Sequence, residues 1–222
     1  MGDVVEGVKE PDRIGSFRRR RARATRLRIT KAAGVLFCDR GYTGTTMADI
    51  ADAAGVAVQT VYFVFHTKSD VLSSTYDLAV LGEGDLAPPQ AQGWYRTAVA
   101  VPGVAAAVRA VVEGAGEIVR RVASLDLAVR TAAASDPDAA AFLARNEGMR
   151  VEGYREMVDF LRAKSPLRAG LSAERATDVL LLFLSPAAYR TLVTDRGWSH
   201  TEWVAWSSGA LTEQLFGIQD PY

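Results

Sequence analysis

Cysteine is almost missing from this 222-residue chain: Cys38 stands alone, so no intrachain disulfide can form and no thiolate cluster can hold a metal. A reducing compartment suits such a chain. Histidine is nearly as scarce, with His66 at a turn and His200 at a helix start, both expected at the surface. No HExxH, CxxC or GxSxG pattern occurs. Zinc hydrolysis and triad chemistry therefore lack their side chains, and the expectation is a protein that is not an enzyme and needs neither metal nor cofactor. No uninterrupted apolar run approaches the ~18 residues needed to cross a bilayer. The N-terminus carries no apolar signal-peptide core. A soluble, cytoplasmic protein without a membrane partner is expected. Strand-like alternation and internal repeats are missing too, which leaves an all-α chain.

Net charge is also absent, with 26 basic and 26 acidic residues, but the charge is unevenly placed. From Arg13 to Asp70 there are 11 basic residues against 4 acidic ones. The positive field is thus confined to one end. Its densest part is Arg18, Arg19, Arg20, Arg21 and Arg23. Read with residues 1–22 as a disordered arm, these can track DNA phosphates or enter a narrow minor groove. A solvated tail is the competing reading. The acidic start, Asp3 to Asp12, is most simply disordered.

What is present is a compact run from Thr46 to Phe65, TMADIADAAGVAVQTVYFVF. Met47, Ile50, Ala51 and Ala54 recur with the period of a helix that buries one face. Thr46 and Asp49 form a capping box at its start. Gly55 follows the last periodic residue, where a left-handed backbone turns the chain into a second helix from about Val58. A preceding helix, about Thr25 to Arg40, carries Ile29, Ala32, Ala33, Leu36 and Phe37 on one face, with Cys38 placed on the buried side and Gly41 as the stop. Thr67 and Asp70 make a second capping box, opening a fourth helix that should reach about Leu81.

The run ITKAAGVLFCDRGYTGTTMADIADAAGVAVQTVYFVFHTKSDVL resembles the N-terminal domain of the tetracycline-repressor family of bacterial transcription regulators. The likeness is carried by Arg40-Gly41-Tyr42, the Thr45-Thr46 pair, Asp49-Ile50-Ala51, Ala54-Gly55-Val56, Thr60-Val61-Tyr62, Phe65 and Lys68. It implies a three-helix helix-turn-helix domain over residues 23–70 and a larger helical effector-binding and dimerisation domain over 71–222. It also implies an operator of double-stranded DNA, a homodimer and an unidentified small-molecule effector. By the same resemblance Thr45, Thr46, Tyr62 and Lys68 grip phosphates, while Gln59, Thr60 and Phe63 face the bases. Gln59 can pair bidentately with adenine, and Thr60 and Phe63 can meet a thymine methyl. The chain departs from the family pattern at Ala57, Val58 and Val64, where a serine cap, a polar side chain and an aromatic are common. A repressor released by a largely apolar ligand is the leading expectation. An activator, a corepressor-dependent regulator and an architectural DNA-binding protein without effector stay open.

Beyond Leu81, residues 82–103 are rich in glycine and proline and form the least helical stretch expected. Helices follow from Val104 to about Val122, from Leu125 to about Ala134, from Pro137 to about Ala163 with Asp136 as N-cap, from Ser172 to Thr194 with a break at Pro186, and from His200 to Phe216. Phe142, Met149 and Tyr154 share the apolar face of the long helix, and Asn146 interrupts it. These four are the expected effector pocket, with a structural hydrogen bond at Asn146 as the alternative. The all-apolar VLLLFL segment with Phe183, together with Trp203, Trp206, Ala210 and Leu211 on the last helix, is the expected dimer interface, with an intrachain core as the alternative.

Overall fold

The computed structural model describes residues 13–82 and 87–218, the first four of these by backbone alone. Among them the chain is all-α: α1 (Arg13–Arg40), α2 (Met47–Ala54), α3 (Val58–Val64), α4 (Lys68–Leu81), α5 (Gly93–Ala100), α6 (Val104–Ala133), α7 (Pro137–Arg162), α8 (Ala173–Phe183), α9 (Pro186–Tyr189) and α10 (His200–Phe216). The acidic start from Asp3 to Asp12 lies outside the described residues.

Helix starts follow local chemistry. Thr46, Thr67 and Ser199 each accept the backbone N–H of the residue three on, and Asp49, Asp70 and Glu202 accept the cap's own N–H in return. Each pair satisfies two amides of a first turn that has no carbonyl to offer them. Asp136 caps α7 by accepting from the amides of Asp138 and Ala139, with Pro137 at the position where a missing N–H is harmless. Gly55 ends α2 at φ 61°, ψ 44°, a left-handed conformation that favours glycine.

Four expectations need correction. Helix α1 begins at Arg13, twelve residues before Thr25, so the arginines from 18 to 23 extend a helix and do not form a disordered arm. Arginine is a good helix former, and no proline stands between Arg13 and Arg40 to stop it. Residues 82–103 hold a 3₁₀ turn at Pro89–Ala91 and then α5, because Pro88 and Pro89 precede the helix, where proline is tolerated. The two helices expected on either side of Ser124 are one, α6. Cys38 is exposed, one residue and about 100° beyond the buried Phe37 on the helical wheel.

Helix α6 is the axis of the body: α1, α4, α5, α7, α9 and α10 all pack on it. One core joins Ile29, Phe37, Ile50, Val61, Phe65 and Leu72 from the N-terminal helices to Leu125, Val129, Ala132 and Phe142 of α6 and α7. A second fills the space among α5 to α10, with Val108, Val111, Val158, Leu180, Trp203 and Leu211. The helical run Ala173–Asp195 is long and apolar enough to cross a bilayer by length and composition, yet it breaks between Phe183 and Pro186 and buries Leu180, Leu184 and Tyr189 in this core.

The Trp94 ring of α5 lies against Gly114 of α6, where an added Cβ would lie 2.1 Å from it. Gly114→Ala is expected to push Trp94 and α5 off α6 and to lower stability by roughly 1–3 kcal/mol, as overpacking does. Urea denaturation followed by tryptophan fluorescence measures this, and an unchanged midpoint would contradict the close approach.

Candidate nucleic-acid interface and interior cavity

Helices α2 and α3 meet at 105°, the angle of a helix-turn-helix, and α1 supplies their floor through Ile29, Ala33 and Phe37. Helix α3 buries only Val61. Its other face is bare: Gln59 is exposed, Thr60 half-buried, Tyr62 52 % exposed and Phe63 84 % exposed. An aromatic ring with that exposure has no packing role inside the chain, and it stands beside an amide and a phenol able to bond base edges or phosphates. Ala57 offers no side-chain cap to α3.

Three of the residues expected on phosphates are engaged within the chain. Thr45 is fully buried, and its hydroxyl donates to the carbonyls of Gly41 at 2.8 Å and Leu36 at 3.3 Å, closing the end of α1. It cannot reach a phosphate through its side chain. Thr46 is exposed, but its proton faces the Asp49 carboxylate at 2.6 Å within the capping box. Lys68 lays its ammonium 4.1 Å from the centre of the Tyr42 ring and donates to the carbonyls of Tyr42 at 2.9 Å and Thr45 at 3.0 Å. It clamps α4 to the α1–α2 turn and leaves one of its three protons for another partner.

Arg26, which the sequence marks only as one charge among many, does comparable work. Its guanidinium sits 4.2 Å from the centre of the Phe65 ring and donates to the Val64 carbonyl at 3.2 Å and to Ser74 Oγ at 2.7 Å. It therefore ties the end of α3 to α4. The exposed Arg18, Arg19, Arg20, Arg21 and Arg23 precede that anchor on α1.

A cavity of about 560 Å³ lies between α4, α6 and α7, with the Pro88 to Trp94 segment along one side. Its walls include Ile118, Val119, Val122, Met157 and Leu184, so most of it is apolar. Asn146, Met149 and Tyr154 line it, as the sequence suggests. Phe142 does not: it is buried with its ring edge-on to Tyr76 at 5.7 Å, in the core shared with the N-terminal helices. The Asn146 amide donates to the Phe142 carbonyl of its own helix at 3.0 Å, and the Tyr154 hydroxyl donates to the Leu184 carbonyl at 3.0 Å. Helix α4 reaches both regions. Lys68, Val71 and Leu72 belong to the reading head, while Tyr76, Asp77, Val80 and Leu81 line the cavity.

Two further side chains hold head to body. The Tyr42 hydroxyl donates to Asp136 Oδ2 at 2.7 Å, joining the α1–α2 turn to the cap of α7. Arg121 of α6 donates to the carbonyls of Ala79 and Val80 at the end of α4. The Tyr42 bond, before any other cause, holds the Asp136 carboxyl below the usual range, and burial together with that carboxylate pushes the Tyr42 phenol up.

The residues expected at a dimer interface divide. Trp203 and Leu211 are fully buried inside the chain, so the intrachain core claims them. Trp206 is exposed and stacks on Phe183 at 5.5 Å, Leu182 is 67 % exposed, and Ala210 is half-buried beside them on α10. The period of a helix fixes which residues share a stripe but not which of two adjacent stripes meets the protein's own core. His200 is not at the surface: it is half-buried, 3.1 Å from the Tyr189 hydroxyl and 3.2 Å from Glu117 Oε1, and stacked on Trp203. His66 is exposed.

Residues 29–75 match the family model for bacterial regulatory proteins of the tetR family. The HTH-type transcriptional regulator AcrR of Shigella flexneri is 37 % identical over 65 residues, 29 % of this chain and 30 % of that protein. TtgR of Pseudomonas putida, another HTH-type transcriptional regulator, is 39 % identical over 56 residues, 25 % of this chain and 27 % of that protein. The likeness thus spans under a third of these curated relatives. The fold is shared more widely. FadR of Bacillus subtilis, a transcriptional regulator solved in complex with stearoyl-CoA, superposes with a TM-score of 0.67 at 17 % identity, over 87 % of this chain and 99 % of that one. NalD of Pseudomonas aeruginosa, the secondary repressor of the MexAB-OprM multidrug efflux pump, gives 0.64 at 18 % identity, over 88 % and 98 %.

Tyr42→Phe removes the donor to Asp136 and is expected to cost about 1 kcal/mol at pH 7. A carboxyl whose folded pKa is depressed stabilises the fold above its unfolded value, ~3.9, and that contribution fades as pH falls through the folded value. The gap between wild type and Tyr42→Phe should therefore narrow below about pH 4. Urea denaturation at pH 7 and pH 3 checks this, and a gap that widens on acidification would contradict it.

Proposed function

We propose that this chain, which belongs to the tetR family of bacterial regulatory proteins, is a homodimeric repressor that a small, largely apolar molecule releases from its operator. As a regulator of transcription it works on a double-stranded DNA operator in the cytoplasm, and catalysis forms no part of its role. The observation that carries the reading is the double membership of α4, which is bolted to the reading head at Lys68 and lines the cavity at Tyr76, Asp77, Val80 and Leu81.

On the DNA side, α3 presents Gln59, Thr60 and Phe63 to the bases and Tyr62 to the backbone, and the α1 arginines add phosphate contacts that do not choose sequence. Lys68, with two of its protons engaged, serves DNA mainly by fixing the α1–α2 turn. On the ligand side, a cavity of about 560 Å³ falls in the range of small-molecule sites, ~300–1,000 Å³. That FadR, which shares this fold, was solved in complex with stearoyl-CoA supports a small-molecule ligand for the present chain. The exposed Leu182 and the Phe183–Trp206 stack form the surface on which a second copy would close, bringing α8 and α10 of both chains into one four-helix contact. A ligand that favours one position of α4 by ~1–3 kcal/mol changes DNA affinity roughly 5- to 150-fold, and DNA changes ligand affinity by the same factor.

Selection of duplexes from a random library by the full chain should enrich an inverted repeat, its half-sites about one helical turn apart or a multiple of that. Gln59→Ala should flatten the preference at one position of each half-site, a loss of roughly 1–3 kcal/mol of discrimination. Leu182→Glu should yield monomers in sedimentation and abolish tight binding to the two-half-site duplex. Enrichment of no sequence, or unimpaired dimers with glutamate at 182, would overturn these assignments.

A further inference from the structure

The cavity's polar groups are unevenly occupied, and that imbalance restricts what can enter. Of the lining side chains that donate hydrogen bonds, the strongest are already engaged. Arg150 gives Nε and Nη2 to one carboxylate oxygen of Glu147, at 3.0 and 2.6 Å, and Nη1 to the Leu181 carbonyl at 3.3 Å. Trp94 Nε1 donates to Gln92 Oε1 at 3.0 Å, Gln90 Nε2 to Glu156 at 3.1 Å, and the Tyr154 hydroxyl to Leu184. The donors that remain are the second N–H on each of Arg150 Nη1 and Nη2, the Tyr76 hydroxyl and the second amide protons of Gln90 and Asn146.

Acceptors are left over. Asp77 lines the exposed mouth of the cavity on α4, and among the described residues its carboxylate accepts no hydrogen bond and forms no ion pair. The cation that acts on it is Arg145, an exposed guanidinium seated over the Phe142 ring. Asn146 gives one amide proton to the Phe142 carbonyl, and its own carbonyl oxygen has no donor among the described residues. The other lining carboxylates are matched, Glu147 by Arg130 and Arg150 and Glu152 by Arg155. An unmatched carboxylate therefore stands beside an apolar chamber walled in part by the aromatic residues Tyr76, Trp94 and Tyr154.

We propose that the cavity takes an apolar organic cation, an aryl- or alkylammonium whose N–H groups meet Asp77 and whose carbon skeleton lies among the aromatic residues and α6. The inference rests on the effector reading above and supplies the ligand's charge. A carboxylate or phosphate head would have to share the one lining guanidinium with Glu147, whose negative charge already offsets it and would stand beside the incoming anion. A cation displaces nothing: it gives Asp77 a partner and its positive charge is attracted to ring faces. Partial burial raises the Asp77 carboxyl above its ordinary value, as expected of a charge lacking a close partner, and a bound ammonium would draw it down again. Because Asp77 is on α4, the same contact pulls on the helix that holds the reading head.

The test uses the full-length protein and three probes of one carbon skeleton: naphthylbutylammonium, naphthylbutanol and the matching carboxylate, titrated calorimetrically at pH 7. The ammonium should bind roughly tenfold or more tighter than the carboxylate, with the alcohol between them. Asp77→Asn should erase that order and Asp77→Glu should keep it, with thermal melts by circular dichroism confirming that both variants fold. Equal or tighter binding of the carboxylate, binding of none of the three, or an order unchanged in a folded Asp77→Asn would each overturn the proposal. Release of selected duplex, followed by fluorescence anisotropy, separates the two readings. An ammonium that binds without releasing DNA contradicts the effector role and leaves the ligand class standing, whereas a carboxylate that binds tightest and releases DNA keeps the effector role and overturns the ligand class.

Discussion

The 14 residues of α4 must satisfy two packing environments at once, and the rest of the molecule is arranged around that constraint. At its start, Val71 and Leu72 are buried against α1 to α3, and Lys68 holds the α1–α2 turn by two carbonyls and a ring face. At its end, Arg121 of α6 takes the carbonyls of Ala79 and Val80, which have no amide of their own helix to accept from. A helix pinned at both ends moves as a unit, because packed interiors resist smooth deformation and favour discrete positions. On the proposed effector reading, a molecule that fills the space beside Tyr76 and Val80 would act on the head without touching it.

The Tyr42–Asp136 bond gives a second route. Asp136 caps α7, whose middle turns line the cavity with Asn146, Met149 and Arg150, and Tyr42 lies in the turn just before α2. The head is thus held by α4 from one side and by the α7 cap from another, and its core includes Leu125, Val129 and Phe142 of the body. A reading head with so much shared core does not swing on a loose linker. Its position depends on how α4, α6 and α7 sit together, and the cavity lies among those three helices.

Much of this was legible in the sequence where local chemistry decides the outcome. Thr46 with Asp49, Thr67 with Asp70 and Ser199 with Glu202 mark helix starts through bonds made within four residues, and Gly55 marks the turn through its backbone alone. The family resemblance put Gln59 and Phe63 on the outer face of α3, and both are exposed there while Val61 is buried. What stayed hidden depends on neighbours distant in the chain. Thr45 looks like Thr46 in sequence, but its hydroxyl meets the end of α1. Trp203 and Leu211 share a stripe on α10 that meets the protein's own core, whereas Trp206 lies one step around the helix on the outside. Arg26 resembles the arginines before it until Phe65 is brought beneath it. Asp77 carried no signal at all, because an unmatched carboxylate is recognised only once every nearby guanidinium has been assigned to its partner.

The linkage through α4 can be measured with the chain's own Cys38, which is exposed on α1 within the reading head. A nitroxide on this single cysteine, read by double electron–electron resonance, gives the distance between the two heads of a dimer. Bound to its selected duplex, the protein should show one narrow distance distribution; with saturating naphthylbutylammonium and no DNA, the distribution should move to a different distance. Identical distributions in the DNA-bound and ligand-bound states, with ligand binding confirmed in the same sample, would contradict a cavity that controls the reading heads through α4.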